Sequence, residues 1–225
     1  MIRTKKLKHI YHICTIDIGS PKLGNLGWCL YDSLSEKEFT GQDIDQLFPY
    51  IKDVSQTGGL ILGLEAPLFV PIRENLMLAT KGRKGEGKRP WSAGAGAQVL
   101  AMNLPIMIYI LKGIQSACPY ITFHINEVEF TAEPQHIMLF EALVSGADKG
   151  ASHVHDAQIM VENCIKYAKK NELPESILEN ESNTEYFNLI AAALLRLNID
   201  VEQNIKALSQ HSPIYKPDIQ YRENT

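Results

Sequence analysis

Three acidic residues lie in or beside runs of apolar residues, where a carboxylate is expensive to bury. Asp17 belongs to the run IYHICTIDI, Glu65 follows LILGL and precedes Ala-Pro, and Glu141 is flanked by apolar residues in LFEAL. Because a buried carboxylate needs a cation or hydrogen-bond donors beside it, these positions favour a functional site. Each also has a simpler interpretation: Asp17 caps a turn, Glu65 ends a strand in a salt bridge, and Glu141 lies on the solvated face of a helix.

The elements that position the first two acids begin with a hairpin. Residues 10–18 are rich in β-branched and aromatic types, which predicts a buried strand that ends at Gly19. Turn residues then precede GWCLYD, a second strand that pairs with the first. Apolar residues at helical spacing from Asp43 predict a helix that ends at Gly58-Gly59, before the strand LILGLEAP. This order predicts an α/β fold with a mixed sheet.

The second half of the chain alternates helices with candidate strands. The apolar segment after Ser92 predicts a helix to about Ala117, and the periodicity from Ser152 predicts another. ITFHIN and HIMLFEAL are candidate strands, although the second equally fits the start of a helix. Ser182 and Glu185 fit a capping box before a last helix, FNLIAAALLRL.

Composition narrows the class of protein. A chain of 225 residues with 45% apolar content predicts one domain, over residues 1–210, followed by a loose polar tail over residues 211–225. The net charge of −4 means that a polyanion would have to meet a local basic patch. The four cysteines are widely spaced, which signals neither a zinc site nor a disulfide framework. No run approaches the length of a membrane span, so we expect a cytoplasmic protein without a membrane partner.

Two segments resemble the ribonuclease H-like superfamily. TIDIGSPKLGNLGWCLYD is similar to its first hairpin, including that of RuvC-type resolvases, where an Asp on the central strand precedes Gly and the second strand opens with Gly-Trp or Gly-Tyr. LGLEAPLFVPIRE resembles its fourth strand, which ends in an acidic residue, here Glu65. HIMLFEALVSGADKG and FNLIAAALLRL resemble the later strand and terminal helix of a branch of predicted ribonuclease H-like nucleases. The likeness covers most of residues 10–197.

The resemblance implies a nuclease whose carboxylates bind Mg²⁺ or Mn²⁺. Two such ions about 3.5 to 4 Å apart activate a water and stabilise the leaving oxygen, and both need oxygen ligands that converge from separate strands. Asp17, Glu65 and Glu141 are then the expected metal ligands and catalytic residues. The final helix usually adds an Asp, but the matching position here is Asn188, whose amide oxygen can contact a metal ion without bringing a charge. Asp156 is the expected replacement, and its alternative is a first-turn acid that the helix dipole favours.

A basic loop follows the Glu65 strand. Residues 67–92 contain prolines, glycines and a cluster of cations, which predicts a long exposed loop with a short helix near residues 75–79. Trp91 is available to stack on a base. His153 and His155 are candidate acids, bases or surface residues. The expected phosphate contacts, which would otherwise be a solvated charge run, are Arg73, Lys81, Arg83, Lys84, Lys88 and Arg89.

Three functions fit these residues. The leading prediction is a Mg²⁺-dependent nuclease that hydrolyses nucleic-acid phosphodiesters. The alternative, which Asn188 motivates, is a ribonuclease H-like module that binds nucleic acid or nucleotide without turnover. A sugar-kinase or actin-type ATPase shares the core fold, but it needs a duplicated domain, and this chain has no internal repeat. The sequence leaves open whether the substrate is DNA or RNA, and also the oligomeric state.

Overall fold

The computed structural model describes residues 7, 9–87, 90–144, 146–179, 181 and 184–218. The strands are β1 (Tyr11–Asp17), β2 (Gly27–Asp32), β3 (Lys37–Gly41), β4 (Gly59–Glu65), β5 (Phe69–Ile72), β6 (Thr122–His124), β7 (His136–Ala142), β8 (Glu185–Asn188) and β9 (Ile214–Tyr215). The helices are α1 (Leu47–Ser55), α2 (Gly94–Ala117), α3 (His153–Ala168), α4 (Leu189–Arg196) and α5 (Val201–Ala207).

Seven strands form one mixed central sheet. Its order is β3-β2-β1-β4-β7-β6, and β9 pairs with β7 off this path. The β1–β2 and β2–β3 pairs are antiparallel, whereas β4 is parallel to β1 and β7 is parallel to β4, β6 and β9. Strands β5 and β8 form a separate antiparallel pair. The prediction of an α/β fold with a mixed central sheet flanked by helices is confirmed, as is the opening hairpin.

The sheet separates two apolar clusters, one on each face. Along β1, Cys14 and Ile16 belong to the cluster that α1, α2 and α4 cover, whereas Tyr11 and Ile13 belong to the cluster that α3 covers. Successive side chains of a strand point to opposite faces, so this alternation identifies which face each strand residue occupies. By the same alternation, Asp17 lies on the α3 face, and so does Glu65, four residues after Ile61.

Several sequence-based assignments differ from the structure. Residues 185–188 form strand β8, and Asn188 caps α4, so the predicted capping box does not start this helix; Ser182 lies outside the described residues. The predicted exposed loop contains β5, whose Phe69 is fully buried. Residues 211–218 are not a loose tail, because β9 pairs with β7 and Tyr215 is buried. Strand β3 and helix α5 were not predicted.

Helix α2 also corrects an expectation. It has 24 residues, and an 18-residue window within it has a mean hydropathy of 1.5, so by length and composition alone it could cross a membrane. The expectation that no run approaches that length is wrong. Core helices can have the same length and composition. One face of α2 is buried through Asn103, Met107, Ile110, Leu111 and Ile114.

Candidate metal centre

Asp17 and Glu65 end two neighbouring parallel strands. They are paired in register between the parallel strands β1 and β4. Both therefore lie at the carboxyl ends of these strands, and their side chains are on the same face of the sheet. Asp17 is buried, and the side chain of Glu65 is 14% exposed. The expectation that these two acids meet is confirmed, and its cause is parallel pairing in register.

The third acid comes from the first turn of α3. Ser152 caps this helix, and its hydroxyl accepts a hydrogen bond from the His155 N–H at 3.2 Å. The Thr15 hydroxyl donates to the Ala157 carbonyl at 2.6 Å, which holds the first turn against β1. Gly27 permits the close approach, because a Cβ there would lie 2.3 Å from the Val154 nitrogen. This packing brings Asp156 over the ends of β1 and β4.

Asp17, Glu65 and Asp156 form one acid cluster. One carboxylate oxygen from each lies within 4.8 Å of the others. The cluster draws on two strands and one helix, which lie far apart in sequence and are held by separate contacts. Three converging carboxylates are the oxygen ligands that hard divalent cations require. The arrangement can therefore hold a metal ion, whose remaining ligand positions water or substrate would fill.

Two basic side chains contact the acid cluster. The Lys149 ammonium lies 3.1 Å from a Glu65 oxygen and 3.0 Å from an Asp156 oxygen. The His153 ring, through Nδ1, contacts the Asp17 carboxylate. His153 was among the candidate acids and bases, whereas Lys149 was not predicted to act at all. His155 does not join them: its Nδ1 accepts a hydrogen bond from the Ala151 N–H at 3.1 Å.

The electrostatics of the cluster show that its negative charge is not fully compensated. Burial, together with the nearby Asp17, raises the pKa of Glu65 to about 9 even though Lys149 opposes the shift. Burial also raises the pKa of Asp17, and Lys149 and His153 offset part of that rise. Glu65 Oε2 is buried and accepts no hydrogen bond from the described residues. A bound cation would supply the missing partner, so the donor set and the charge fit a metal ion.

Glu141 does not belong to the acid cluster, which corrects the prediction that it binds metal. It pairs with Leu64 rather than Glu65, and this shift of one residue turns its side chain to the opposite face. There it forms a buried two-pronged ion pair with Arg83, at 2.6 and 2.8 Å, and accepts the Leu68 N–H at 3.1 Å. Glu86 contacts the same guanidinium at 2.9 Å. We call Glu141, Arg83 and Glu86 the arginine cluster.

The basic loop does not present the predicted row of phosphate contacts. Arg83 is buried in the arginine cluster. Arg73 bonds Glu181 and the carbonyls of Leu78, Lys81 and Gly82. Lys84 forms an exposed ion pair with Glu179 at 2.7 Å. Lys81 is exposed, and Lys88 and Arg89 lie outside the described residues. Arg73 and Arg83 thus hold the loop onto the domain.

Asn188 is not a substitute metal ligand. Its side-chain oxygen accepts the Ala191 N–H at 3.0 Å, and its amide donates to Gln210 and Ser212. These bonds cap α4 and tie it to the segment before β9. The presence of Asn188 is therefore no indication that catalysis has been lost. Asp156, the acid expected to replace it, does lie beside Asp17 and Glu65.

A cavity of about 760 Å³ opens beside the acid cluster. Asp17, Glu65, Lys149 and His153 line one end of it. The rest of the lining comes mainly from the first turns of α2, from the segment around Trp91, from residues 142–144 and from the arginine-cluster acids Glu86 and Glu141. This volume is in the range of small-ligand pockets, about 300–1,000 Å³.

Comparison of the chain with protein-family models, with curated proteins and with solved structures finds no match. The proposed function therefore rests on the acid cluster and the adjoining cavity.

Proposed function

We propose that this protein is a divalent-metal-dependent phosphodiester hydrolase, a nuclease, whose metal ligands are Asp17, Glu65 and Asp156. The observation that carries the proposal is the convergence of these three carboxylates within 4.8 Å, with Asp17 and Glu65 also lining a ligand-sized cavity. Mg²⁺ and Mn²⁺ are the cations that fit an all-oxygen set of this kind. A structural salt-bridge network would be expected to satisfy every buried oxygen, and Glu65 Oε2 is left over.

A ribonuclease H-like fold is part of this proposal. Three features support it: an opening antiparallel hairpin, an Asp on the central strand β1, and an acidic residue at the end of the parallel neighbour β4. These are the features that the sequence resemblance implies. Asp156, at the start of α3, supplies the helical acid.

The chain's own residues have distinct roles in such a reaction. When bound, the metal would polarise a phosphoryl oxygen and lower the pKa of a water ligand. The three carboxylates fix its position, and Asp17 also orients the His153 ring by contacting Nδ1. His153 is 34% exposed at the cavity rim, so its ring can exchange a proton with solvent or substrate.

Lys149 stands where a cation would bind. Its ammonium bridges Glu65 and Asp156, so a metal ion that binds both carboxylates has to displace it. The Lys149 side chain is 42% exposed and follows the one-turn helix Gly146–Asp148, so it can turn toward solvent without disrupting the core. Once displaced, the ammonium remains beside the site and can pair with a substrate phosphate.

Cleavage assays with matched variants test the proposal. Purified protein is incubated with labelled single-stranded and duplex DNA and RNA, with Mg²⁺, with Mn²⁺ or with EDTA. We expect metal-dependent cleavage that falls at least about a hundredfold in Asp17→Asn and Asp156→Asn, because the metal contributes several kcal/mol to the transition state. Asp32→Asn is the control, since Asp32 ends the antiparallel strand β2 and therefore lies at the opposite end of the strands from the acid cluster.

Two outcomes would refute the proposal. One is cleavage that persists in EDTA, and the other is equal activity in Asp17→Asn and the parent protein. The binding module without turnover, which Asn188 suggested, is no longer favoured by that residue, because Asn188 caps α4.

A further inference from the structure

We propose that the cavity beside the acid cluster holds the base of an unpaired nucleotide. The substrate is then single-stranded nucleic acid or a free nucleotide, in preference to a duplex. This inference rests on the proposed function, because it takes the acid cluster as the place where the phosphate binds. It adds the identity of the group that fills the cavity.

The cavity and the acid cluster are one continuous space. Its lining combines the carboxylates of Asp17 and Glu65 with the aromatic or apolar side chains of Trp91, Val99 and Met102. A ligand that contacts both kinds of residue needs a charged phosphoryl group joined to a flat or apolar body. A nucleotide has both parts, and about 760 Å³ is enough space for one. A base held in a duplex would have to leave its stack to enter.

Trp91 gives the cavity a surface that is suited to a base. Trp91 is held in place by the hydrogen bond that its indole N–H donates to the Lys81 carbonyl at 3.3 Å. An aromatic ring fixed at a cavity wall stacks on any base, whatever the sequence. Asn25 and Gln98, both exposed, also line the cavity. Amides supply the donors and acceptors that the edge of an unpaired base requires.

The distribution of positive charge argues against a long duplex footprint. Duplex binding depends on several cations that neutralise successive phosphates. In the described part of the basic loop, Arg73, Arg83 and Lys84 already pair with carboxylates. The chain as a whole has a net charge of −4. Recognition through one phosphate and one inserted base fits these charges better than recognition of an extended backbone.

Binding and cleavage measured together test the inference. The probes are AMP, a short fluorescein-labelled single-stranded oligonucleotide in RNA and DNA form, and the duplex of the same sequence, all with Mg²⁺. We expect AMP to quench the fluorescence of Trp91, because Trp28 is buried in the core. We also expect the single strand to bind, and to be cleaved, at least about tenfold better than the duplex.

Three variants assign that preference to the cavity. Trp91→Ala should weaken single-strand binding by about tenfold or more, as measured by fluorescence anisotropy. Ala95→Phe, which fills part of the cavity from an exposed position in the first turn of α2, should weaken it as well. Tyr120→Ala is the control, since Tyr120 is 83% exposed and lies outside the cavity lining.

The failures of the two proposals are distinguishable. Equal cleavage of single strand and duplex, with no effect of Trp91→Ala, overturns the base-binding inference and leaves the nuclease standing. Quenching by AMP that Ala95→Phe abolishes, without cleavage of any substrate, supports the base site and overturns the nuclease.

Discussion

The two groups of charged residues that border the cavity differ in how completely their charges are matched. In the arginine cluster, all four carboxylate oxygens of Glu141 and Glu86 accept a hydrogen bond from Arg83 or from a backbone N–H. In the acid cluster, three carboxylates face Lys149 and His153, both partly exposed, and Glu65 Oε2 has no partner among the described residues. The first group leaves no carboxylate oxygen without a partner, and its one unpaired buried atom among the described residues, Arg83 Nε, is a donor that a metal ion cannot satisfy. The second group leaves an acceptor oxygen and so has room and charge for a cation.

This difference separates structural from functional acids better than burial does. Glu141 is more buried than Glu65, yet its charge is used to fix the loop that contains Arg83. A guanidinium with fixed geometry makes a permanent partner, whereas a flexible, half-exposed ammonium makes an exchangeable one.

The largest expected effect comes from breaking the arginine cluster. Arg83→Met leaves Glu141 and Glu86 buried without their cation, so we expect the free energy of unfolding to fall by about 3–5 kcal/mol. Urea denaturation monitored by circular dichroism measures this change. Lys84→Met removes an exposed ion pair in the same loop and should leave the free energy of unfolding almost unchanged. Similar losses in the two variants would show that Arg83 is not a structural partner.

Neutralising one glutamate in each cluster should have opposite effects on stability. Glu141→Gln removes the charge that Arg83 pairs with, so we expect a loss of about 1–3 kcal/mol. Glu65→Gln removes a charge whose burial is not fully compensated, so we expect no loss, or a gain, above about pH 8 in EDTA. Thermal unfolding of both variants under the same conditions checks the signs, and an equal loss in both would remove the distinction between the clusters.

Metal affinity should rise with pH. A metal ion needs the deprotonated form of Glu65, and the pKa of this group is raised to about 9, so protons compete with the metal below that value. Mn²⁺ affinity should therefore increase by up to about tenfold per pH unit between about pH 6 and pH 9. Isothermal titration calorimetry at several pH values measures it. The dependence should flatten in Glu65→Gln, and an unchanged slope in that variant would assign the proton to another group.

The folding stability of the apoprotein should change with pH in the other direction. Because the pKa of Glu65 is higher in the folded protein than in the unfolded chain, ionisation of this group opposes folding. Its contribution to stability is thus largest at acidic pH and is lost as the pH rises toward about 9. Glu65→Gln should remove this part of the pH dependence in EDTA.

The smallest effect is expected from removing the exchangeable cation. Lys149→Met eliminates the ammonium that competes for Glu65 and Asp156, so Mn²⁺ should bind about fivefold more tightly, which corresponds to about 1 kcal/mol for a partly exposed ion pair. The comparison is made at a pH near 9, where protons compete least. Weaker binding in this variant would mean that Lys149 supports the metal site instead of occupying it.

The sequence was sufficient to locate the acids at strand ends but not to say which face they occupy. Asp17 and Glu65 were found because each ends an apolar run, and adjacent parallel strands then bring such ends together. Strand β7 is buried on both faces, so its residues show no alternation between apolar and polar types that would reveal the face of Glu141. A shift of one residue in the pairing register between β4 and β7 determines the face on which Glu141 lies. Only the tertiary structure shows this register.

The charged partners were the least predictable part of the site. Lys149 lies in a short glycine-containing segment without periodicity, and its partner Glu65 is far away in the sequence. Arg83 belongs to a run of basic residues that is typical of an exposed loop, and its burial depends on the distant Glu141. Strands β5 and β8 were missed for a related reason: each has only four residues, and β5 contains Pro71.

The most direct test of the central claim is to locate Mn²⁺ by anomalous diffraction in crystals soaked at a pH near 9. The account predicts one anomalous peak among the carboxylates of Asp17, Glu65 and Asp156, with the Lys149 ammonium displaced from them, and no peak at the arginine cluster. Crystals of Asp17→Asn should show a weaker peak or none. A peak at Glu141, or Lys149 still bridging Glu65 and Asp156 at saturating Mn²⁺, would contradict it.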